Sequence, residues 1–150
     1  MADIIDTEAR SRLMSRIRSK DTKPELSLRS GLHALGYRFR LHVKALPGTP
    51  DIVLPRLITV IEVRGCFFHR HRNCRLAYIP KSNRTFWREK FEANISRDVK
   101  TAERLLHLGW RLLVVWECQL RGEEMLKSTV RKANAWIRSG ARVGELPAQR

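Results

Sequence analysis

Three charged side chains have the types and the spacing that phosphodiester hydrolysis requires. They are Asp51, Glu62 and Arg64, and the last two stand two residues apart in an apolar, β-branched run. Residues two apart in a strand point to the same face, so a carboxylate and a cation would meet the same phosphate. Oxygen ligands there can hold a divalent cation, which activates water and neutralises the scissile phosphate. The sequence therefore predicts a Mg²⁺ site, to which the carbonyl of Val63 would add a ligand.

The same spacing has a plainer interpretation, in which Glu62 and Arg64 form only an ion pair on the strand surface. Their apolar neighbours make an idle charge costly, and this favours a functional role. The pattern also resembles the Pro-Asp and Glu-x-Lys motif of restriction-endonuclease-like nucleases, with Arg64 in the place of lysine. Because that motif is short and degenerate, both interpretations stay open at this point.

A second group of side chains has the spacing of a zinc site. Its members are Cys66, His71, Cys74 and Cys118. Three thiolates and one imidazole make a closed tetrahedral set, which is typical of structural zinc, and such a site can contribute about 10 kcal/mol to folding. His69 is a rival ligand to His71, and the sequence does not separate them. Three ordinary free cysteines are the alternative.

Aromatic residues lie between and after these groups. Phe67 and Phe68 are adjacent in a predicted loop at residues 65–83, and Trp87 begins a long predicted helix. Apolar wedges of this kind can enter DNA at a cost of about a few kcal/mol per unstacked base step. A mispaired step costs least to open. Burial in the core is the alternative, and for Trp87 alone it is the more common outcome.

The charge of the chain favours a nucleic-acid partner. Lys and Arg number 30 against 15 Asp and Glu, a net charge of +15 that is spread along the chain. Contact with a polyanion then releases counterions, although a merely soluble basic surface is the alternative. No apolar run reaches about 18 residues and no apolar signal core is found. We therefore expect a cytoplasmic, nucleoid-associated protein of bacterial type with no membrane partner.

Hydrophobic periodicity predicts one domain over residues 1–150, with the order helix, helix, three strands, helix, strand, helix. The predicted helices lie at about 6–18, from a cap at Thr22 to Gly36, at about 85–108 and at about 123–138. The predicted strands lie at 37–43, 51–54, 57–63 and 110–116, and a mobile tail is predicted at about 139–150. This order predicts an α/β domain with a mixed central sheet flanked by helices.

Several strings taken together resemble the very-short-patch-repair (Vsr) DNA mismatch endonucleases. They lie at residues 21–25, 46–51, 65–69, 86–87, 97–98, 108–111 and 115–118. The resemblance implies a restriction-endonuclease-like, PD-(D/E)xK fold with a structural zinc loop. It also implies a Mg²⁺-dependent enzyme that nicks one DNA strand on the 5′ side of the thymine in a T:G mismatch.

The resemblance further implies roles for individual residues. Those implied to act at the phosphate are Asp51, the Val63 carbonyl, Glu25 near the metal, and His69 supported by Asp98. The implied zinc ligands are Cys66, His71, Cys74 and Cys118. The implied DNA-intercalating residues are Phe67, Phe68, Trp87 and, in the N-terminal helix that reaches the minor groove, Met14.

The chain departs from the family pattern at Glu62 and Arg64, where an apolar residue and a histidine are usual. Two alternatives therefore stay open. One is a Mg²⁺-dependent nuclease of the same fold with a different lesion or restriction specificity, and the other is a non-catalytic, zinc-stabilised DNA-binding module. The expected partner is mismatched double-stranded DNA. The resemblance also implies a functional link to a cytosine-5 DNA methyltransferase and to mismatch-repair proteins, and we expect a monomer.

Overall fold

A five-stranded mixed sheet forms the centre of the molecule, and the computed structural model describes residues 21–148. The strands are β1 (Arg40–Leu41), β2 (Ile52–Leu54), β3 (Thr59–Arg64), β4 (Arg111–Trp116) and β5 (Val143–Leu146), and the helices are α1 (Lys23–Ala34), α2 (Arg84–His107) and α3 (Glu123–Ser139). The first three strands pair antiparallel, whereas β3, β4 and β5 are parallel. The predicted mixed α/β architecture is confirmed.

Alternating residues of the central strands supply two hydrophobic layers, one on each face of the sheet. One layer packs against α1 and α3, and its buried members include Ile52, Ile61, Leu113, Leu28, Leu32, Ala133 and Ile137. The other layer packs against α2, and its buried members include Val53, Val60, Leu112, Val114 and Leu105. Because β4 is covered on both faces, it has the continuous apolar run that the sequence shows.

Helix α1 begins as its sequence predicts. The Thr22 hydroxyl accepts a hydrogen bond from the Glu25 backbone N–H at 3.4 Å, and a proline stands in the first turn. The Glu25 carboxylate accepts from the N–H of Asp21 at 3.0 Å, one residue earlier than a standard capping box requires. Glu25 is thereby held at the start of the helix, close to the sheet.

Two segments differ from the prediction. The predicted strand at 37–43 is reduced to two residues and ends where His42 turns to a positive φ of 48°, although Tyr37 and Phe39 still pack against the core. The mobile tail predicted from residue 139 does not hold for residues 143–146, which form β5 beside β4. This pairing depends on a strand distant in sequence, and no local pattern near residue 143 reports it.

The predicted N-terminal helix at about 6–18, including Met14, lies outside the described residues. Between residues 21 and 148 no helix combines the length and the apolar character that crossing a membrane requires.

Candidate active site and metal centre

Asp51 immediately precedes β2, and the pairing of Ile52 with Ile61 places it beside Glu62. Its carboxylate accepts a hydrogen bond from the Val63 N–H at 2.8 Å. Burial, and then the nearby charges of Glu25 and Glu62, raise the pKa of Asp51 from 3.8 to about 7 against the effect of that hydrogen bond. A carboxyl group whose ionised form is so disfavoured gains much from a bound cation.

Glu62 and Arg64 form an ion pair, as the plainer interpretation of their spacing expects. An Arg64 Nη2 to Glu62 Oε2 distance of 2.9 Å joins them, but the side chains are only 14% and 13% exposed. The Arg64 guanidinium also lies 5.9 Å from the ring centre of Trp116. The pair is therefore largely buried, and the Glu62 carboxylate acts electrostatically on Asp51.

A second charged cluster surrounds Glu25 and was not predicted. One guanidinium nitrogen of Arg29, Nη2, lies 2.7 Å from Asp21, 2.9 Å from Glu25 and 3.0 Å from His42. Hydrogen bonds from Arg29 and then His42 lower the pKa of Asp21. The spacing of Glu25 and Arg29, four residues apart on a helix, was the available signal in the sequence. The approach of His42 depends on tertiary structure.

His69 is oriented by α2. Its Nδ1 lies 2.7 Å from the Asp98 carboxylate, and the two side chains are 33% and 19% exposed. Asn94, one turn earlier on α2, donates a hydrogen bond to the carbonyl of Phe68 at 3.0 Å. Two polar contacts thus hold the loop against the helix, and they leave Nε2 as the ring nitrogen of His69 that can meet a substrate.

The predicted zinc ligands converge on one point. The ligand atoms of Cys66, His71, Cys74 and Cys118 all lie within 4.8 Å of one another. His71 Nδ1 is 3.6 Å from the Sγ atoms of Cys66 and of Cys118. Zinc bonds of about 2.3 Å to sulfur and about 2.0–2.1 Å to nitrogen place such atoms about 3.6 Å apart in a tetrahedron. The arrangement therefore fits an ion of that size, and it includes His71 rather than His69.

The surroundings of this cluster set the protonation states of its ligands. The His71 ring stacks on Trp116 with 4.4 Å between ring centres, and burial lowers the pKa of His71, so its imidazole is neutral. The N–H of Cys66 donates to a carboxylate oxygen of Glu117 at 3.1 Å. Burial raises the pKa of the Cys66 thiol, and a bound cation would reverse that effect by stabilising the thiolate.

The predicted wedge residues are brought together in one aromatic cluster. The Phe67 ring is at its centre, within 4.9–5.2 Å of the ring centres of Phe68, Tyr78, Trp87 and Phe91. Phe67, Phe68 and Trp87 pack on one another and yet are only half-buried, so they form neither a fully buried core nor a set of isolated surface side chains.

Two features of this aromatic cluster were missed by the sequence reasoning. Arg70 lies 4.0 Å from the ring centre of Phe91 and donates to the carbonyls of Phe67, Ala77 and Tyr78, so one cation holds the loop. Three exposed apolar side chains extend the cluster to the surface, at exposures of 62% for Tyr78, 76% for Ile79 and 53% for Phe86. Met14, the remaining predicted contact, lies outside the described residues.

Several known proteins are similar to this chain over most of its length. A family profile described as DNA mismatch endonuclease Vsr matches residues 2–76. The type II nicking enzyme V.XorIIP of Xanthomonas oryzae pv. oryzae is 48% identical over 131 residues, which cover 87% of this chain and 96% of that protein. The DNA mismatch endonuclease Vsr of Escherichia coli is 42% identical over 139 residues, 91% of this chain and 88% of that protein. The type II nicking enzyme V.NmeAIP of Neisseria meningitidis is 41% identical over 132 residues, 88% of this chain and 94% of that protein.

Proposed function

Since the chain belongs to the Vsr family of DNA mismatch endonucleases, we propose that it nicks one strand of double-stranded DNA on the 5′ side of a T:G-mispaired thymine. The observation that supports this most strongly is Asp51, a partly buried carboxyl group just before β2 with the carboxylates of Glu25 and Glu62 close by. The mixed sheet, with helices on both faces, is consistent with a restriction-endonuclease-like fold.

Asp51, the Val63 carbonyl and Glu62 are the groups that would hold Mg²⁺. Their oxygen atoms are the ligands this ion prefers, and the high pKa of Asp51 indicates a site that gains from a cation. When bound, the ion supplies a Lewis acid that activates water and neutralises charge on the scissile phosphate. Glu25 lies near this centre as a further anion.

His69 is the proposed proton-transfer residue. Asp98 holds its Nδ1, so Nε2 can accept a proton from the water that attacks the scissile phosphate. Arg64 cannot act as the base, because a guanidinium keeps its proton near neutral pH. Its role is to stabilise negative charge on the phosphate from its position against Glu62.

The aromatic cluster and the N-terminal helix are the proposed means of recognising a mismatch. Phe67, Phe68 and Trp87 would unstack the target step, and Met14 would enter the minor groove. Opening costs least where pairing is already defective, so a wedge of this kind favours mispaired DNA. The net charge of +15 supplies the sequence-independent attraction to the phosphates.

The proposal extends to the zinc site and to cellular partners. Cys66, His71, Cys74 and Cys118 would hold a structural Zn²⁺, which their spacing fits. We also propose that the enzyme works as a monomer at the bacterial nucleoid, in functional association with a cytosine-5 DNA methyltransferase and mismatch-repair proteins.

A second candidate function is nicking with a different lesion or restriction specificity. Two observations favour it: Glu62 and Arg64 depart from the usual family residues, and two of the three relatives described above are named type II nicking enzymes. This alternative keeps the fold, the Mg²⁺ site and strand nicking, and changes only the DNA that is recognised.

Nicking assays on end-labelled duplexes distinguish these functions. We expect cleavage on the 5′ side of the thymine in a T:G duplex when Mg²⁺ is present, and none by Asp51→Ala. Phe67→Ala should bind matched and mismatched DNA about equally, because the wedge is lost while the phosphate contacts remain. Equal cleavage of matched and T:G duplexes would favour the second candidate. Binding without any cleavage by the wild type would indicate a non-catalytic module.

A further inference from the structure

Asp21, Glu25 and His42 present two carboxylates and an imidazole to one point near Asp51. One ligand atom from each lies within 4.8 Å of the others, and Glu25 is only 3% exposed. Carboxylate oxygens and imidazole nitrogens at this spacing form a ligand set that divalent cations accept. Near a catalytic carboxylate, such a set is a natural place for a second ion.

This place is already filled by Arg29. Its Nη2 lies 2.7 Å from Asp21, 2.9 Å from Glu25 and 3.0 Å from His42 Nε2, and its side chain is 10% exposed. A guanidinium keeps its charge near neutral pH and gives no open position to another cation. Removing it would leave the Glu25 carboxylate buried and unpaired, which is strongly unfavourable unless another cation enters.

The three carboxylates around the centre thus differ in their partners. Arg29 pairs with Glu25, and Arg64 pairs with Glu62 at the same 2.9 Å. Within residues 21–148, Asp51 makes no ion pair, and its carboxylate accepts a hydrogen bond from the Val63 N–H. Asp51 therefore needs an exchangeable cation. Glu25 does not, because it is only 3% exposed and its guanidinium partner is also held by Asp21 and His42.

We propose that Arg29 is a resident cation that takes the place of a second divalent ion beside the catalytic centre and holds Glu25 in position. The inference rests on the proposed function, because it takes Asp51 as the Mg²⁺ ligand. Glu25 is then a fixed anion close to Asp51 that does not itself bind the exchangeable ion. Arg29 is a positioning residue, which acts on the centre through Glu25, and the enzyme uses one exchangeable divalent ion.

The test counts Mn²⁺ ions bound by zinc-loaded protein, using the electron paramagnetic resonance signal of free Mn²⁺ during titration. Wild-type protein should bind one Mn²⁺ per chain, and Asp51→Asn should bind none. Arg29→Met keeps an unbranched side chain without the charge, and it should bind a second Mn²⁺ between Glu25 and His42. The double variant Arg29→Met/Glu25→Gln should lose that second ion.

Arg29→Lys is the matched control, because it keeps a cation at the same place. It should bind one Mn²⁺, like the wild type. In the nicking assay, Arg29→Met should lose about 10- to 100-fold in kcat, the usual effect of removing a group that orients a metal site, with KM for DNA nearly unchanged. Arg29→Lys should recover most of that loss, which a purely steric role would not produce.

Wild-type crystals soaked in Mn²⁺ provide a check that needs no variant. The anomalous signal should mark an ion at Asp51 and none between Glu25 and His42. An ion bound by Glu25 and His42 in the wild type would overturn the role of Arg29 and leave the proposed function intact, as would a folded Arg29→Met that binds only one ion. Absence of Mn²⁺ from Asp51 would instead overturn the proposed Mg²⁺ site. If Arg29→Met does not fold, the wild-type crystal decides.

Discussion

The Cys/His cluster and the Asp51 centre are neighbours in the chain, yet they are built in opposite ways. In the cluster, four ligand atoms converge within 4.8 Å and make a closed set. At the Asp51 centre, two of the three carboxylates are paired with arginines, and the third is left with a pKa of about 7. A closed set of thiolate and imidazole ligands suits a permanently bound structural ion, whereas one unpaired carboxylate suits an exchangeable ion.

Protonation separates the two regions further. Burial lowers the pKa of His71, so this ligand stays neutral and available at physiological pH. Burial and neighbouring anions raise the pKa of Asp51 to about 7, so the ionised ligand is costly in the absence of a cation. The cluster is therefore expected to stabilise the fold, and the Asp51 centre is expected to trade stability for function.

The largest expected effect is loss of the closed site. His71→Ala and Cys118→Ser should each lose zinc and with it much of a folding contribution on the order of 10 kcal/mol. His69→Ala is the matched control, since its imidazole pairs with Asp98 and should leave zinc content unchanged. Metal analysis measures the zinc content of each variant, and urea unfolding measures its stability. A zinc-free protein that stays folded and active would show that the Cys/His cluster is not needed to stabilise the fold.

His69 should matter for cleavage and not for folding. His69→Ala should reduce kcat for nicking by about 10²- to 10⁴-fold, the range typical of a lost acid–base group, while the unfolding midpoint changes little. Asp98→Asn should lower kcat less, because it disturbs only the orientation of the ring. The control is His107→Ala, which removes an exposed histidine from α2, the helix that carries Asp98. If His69→Ala nicks DNA at the wild-type rate, His69 takes no part in the proton transfer.

Asp51→Asn should stabilise the Mg²⁺-free protein at high pH while abolishing nicking. The folded-state pKa of about 7 lies above the ordinary 3.8, so the stability that the protonated carboxyl gives is present at low pH and is lost as pH rises toward and beyond 7. Asn cannot ionise, and the variant should gain up to about 4 kcal/mol over wild type at pH 8 relative to pH 4.

Urea unfolding across this pH range, in buffer without added Mg²⁺, measures that difference. The pH dependence of the zinc ligands cancels between wild type and variant, and Glu103→Gln, an exposed carboxylate on α2, is the control. Added Mg²⁺ should reduce the gain by stabilising the wild type. A difference in unfolding free energy that does not change with pH would show that Asp51 is not the costly carboxylate at this centre.

The smallest expected effect concerns Glu62. If its carboxylate helps to hold Mg²⁺, Glu62→Ala should raise the Mg²⁺ concentration for half-maximal nicking about 10-fold or more, the low end of what removing a group around a metal site costs. Glu92→Ala, exposed on α2, controls for the change of net charge. An unchanged Mg²⁺ titration would make Glu62 only the ion-pair partner of Arg64.

The residues close together in the sequence could be predicted from it. Two short apolar, β-branched runs predict the strands that bring Asp51 close to Glu62, and a cysteine- and histidine-rich loop predicts a metal site around Cys66. Thr22 and Glu25 mark the start of α1 because capping involves only neighbouring residues. In each case, except for Cys118 at the metal site, the contacts that decide the structure lie within about a dozen residues, where spacing and propensity are enough.

Tertiary structure decided the rest. It places His71, and not His69, at the three thiolates, because α2 brings Asp98 to His69. It also brings His42 to Arg29 and sets β5 beside β4. Those choices depend on which distant surfaces pack together, and that is set by the burial of the whole apolar core rather than by any local pattern. The sequence by itself therefore determined the groups available for chemistry, whereas packing determined how those groups are paired.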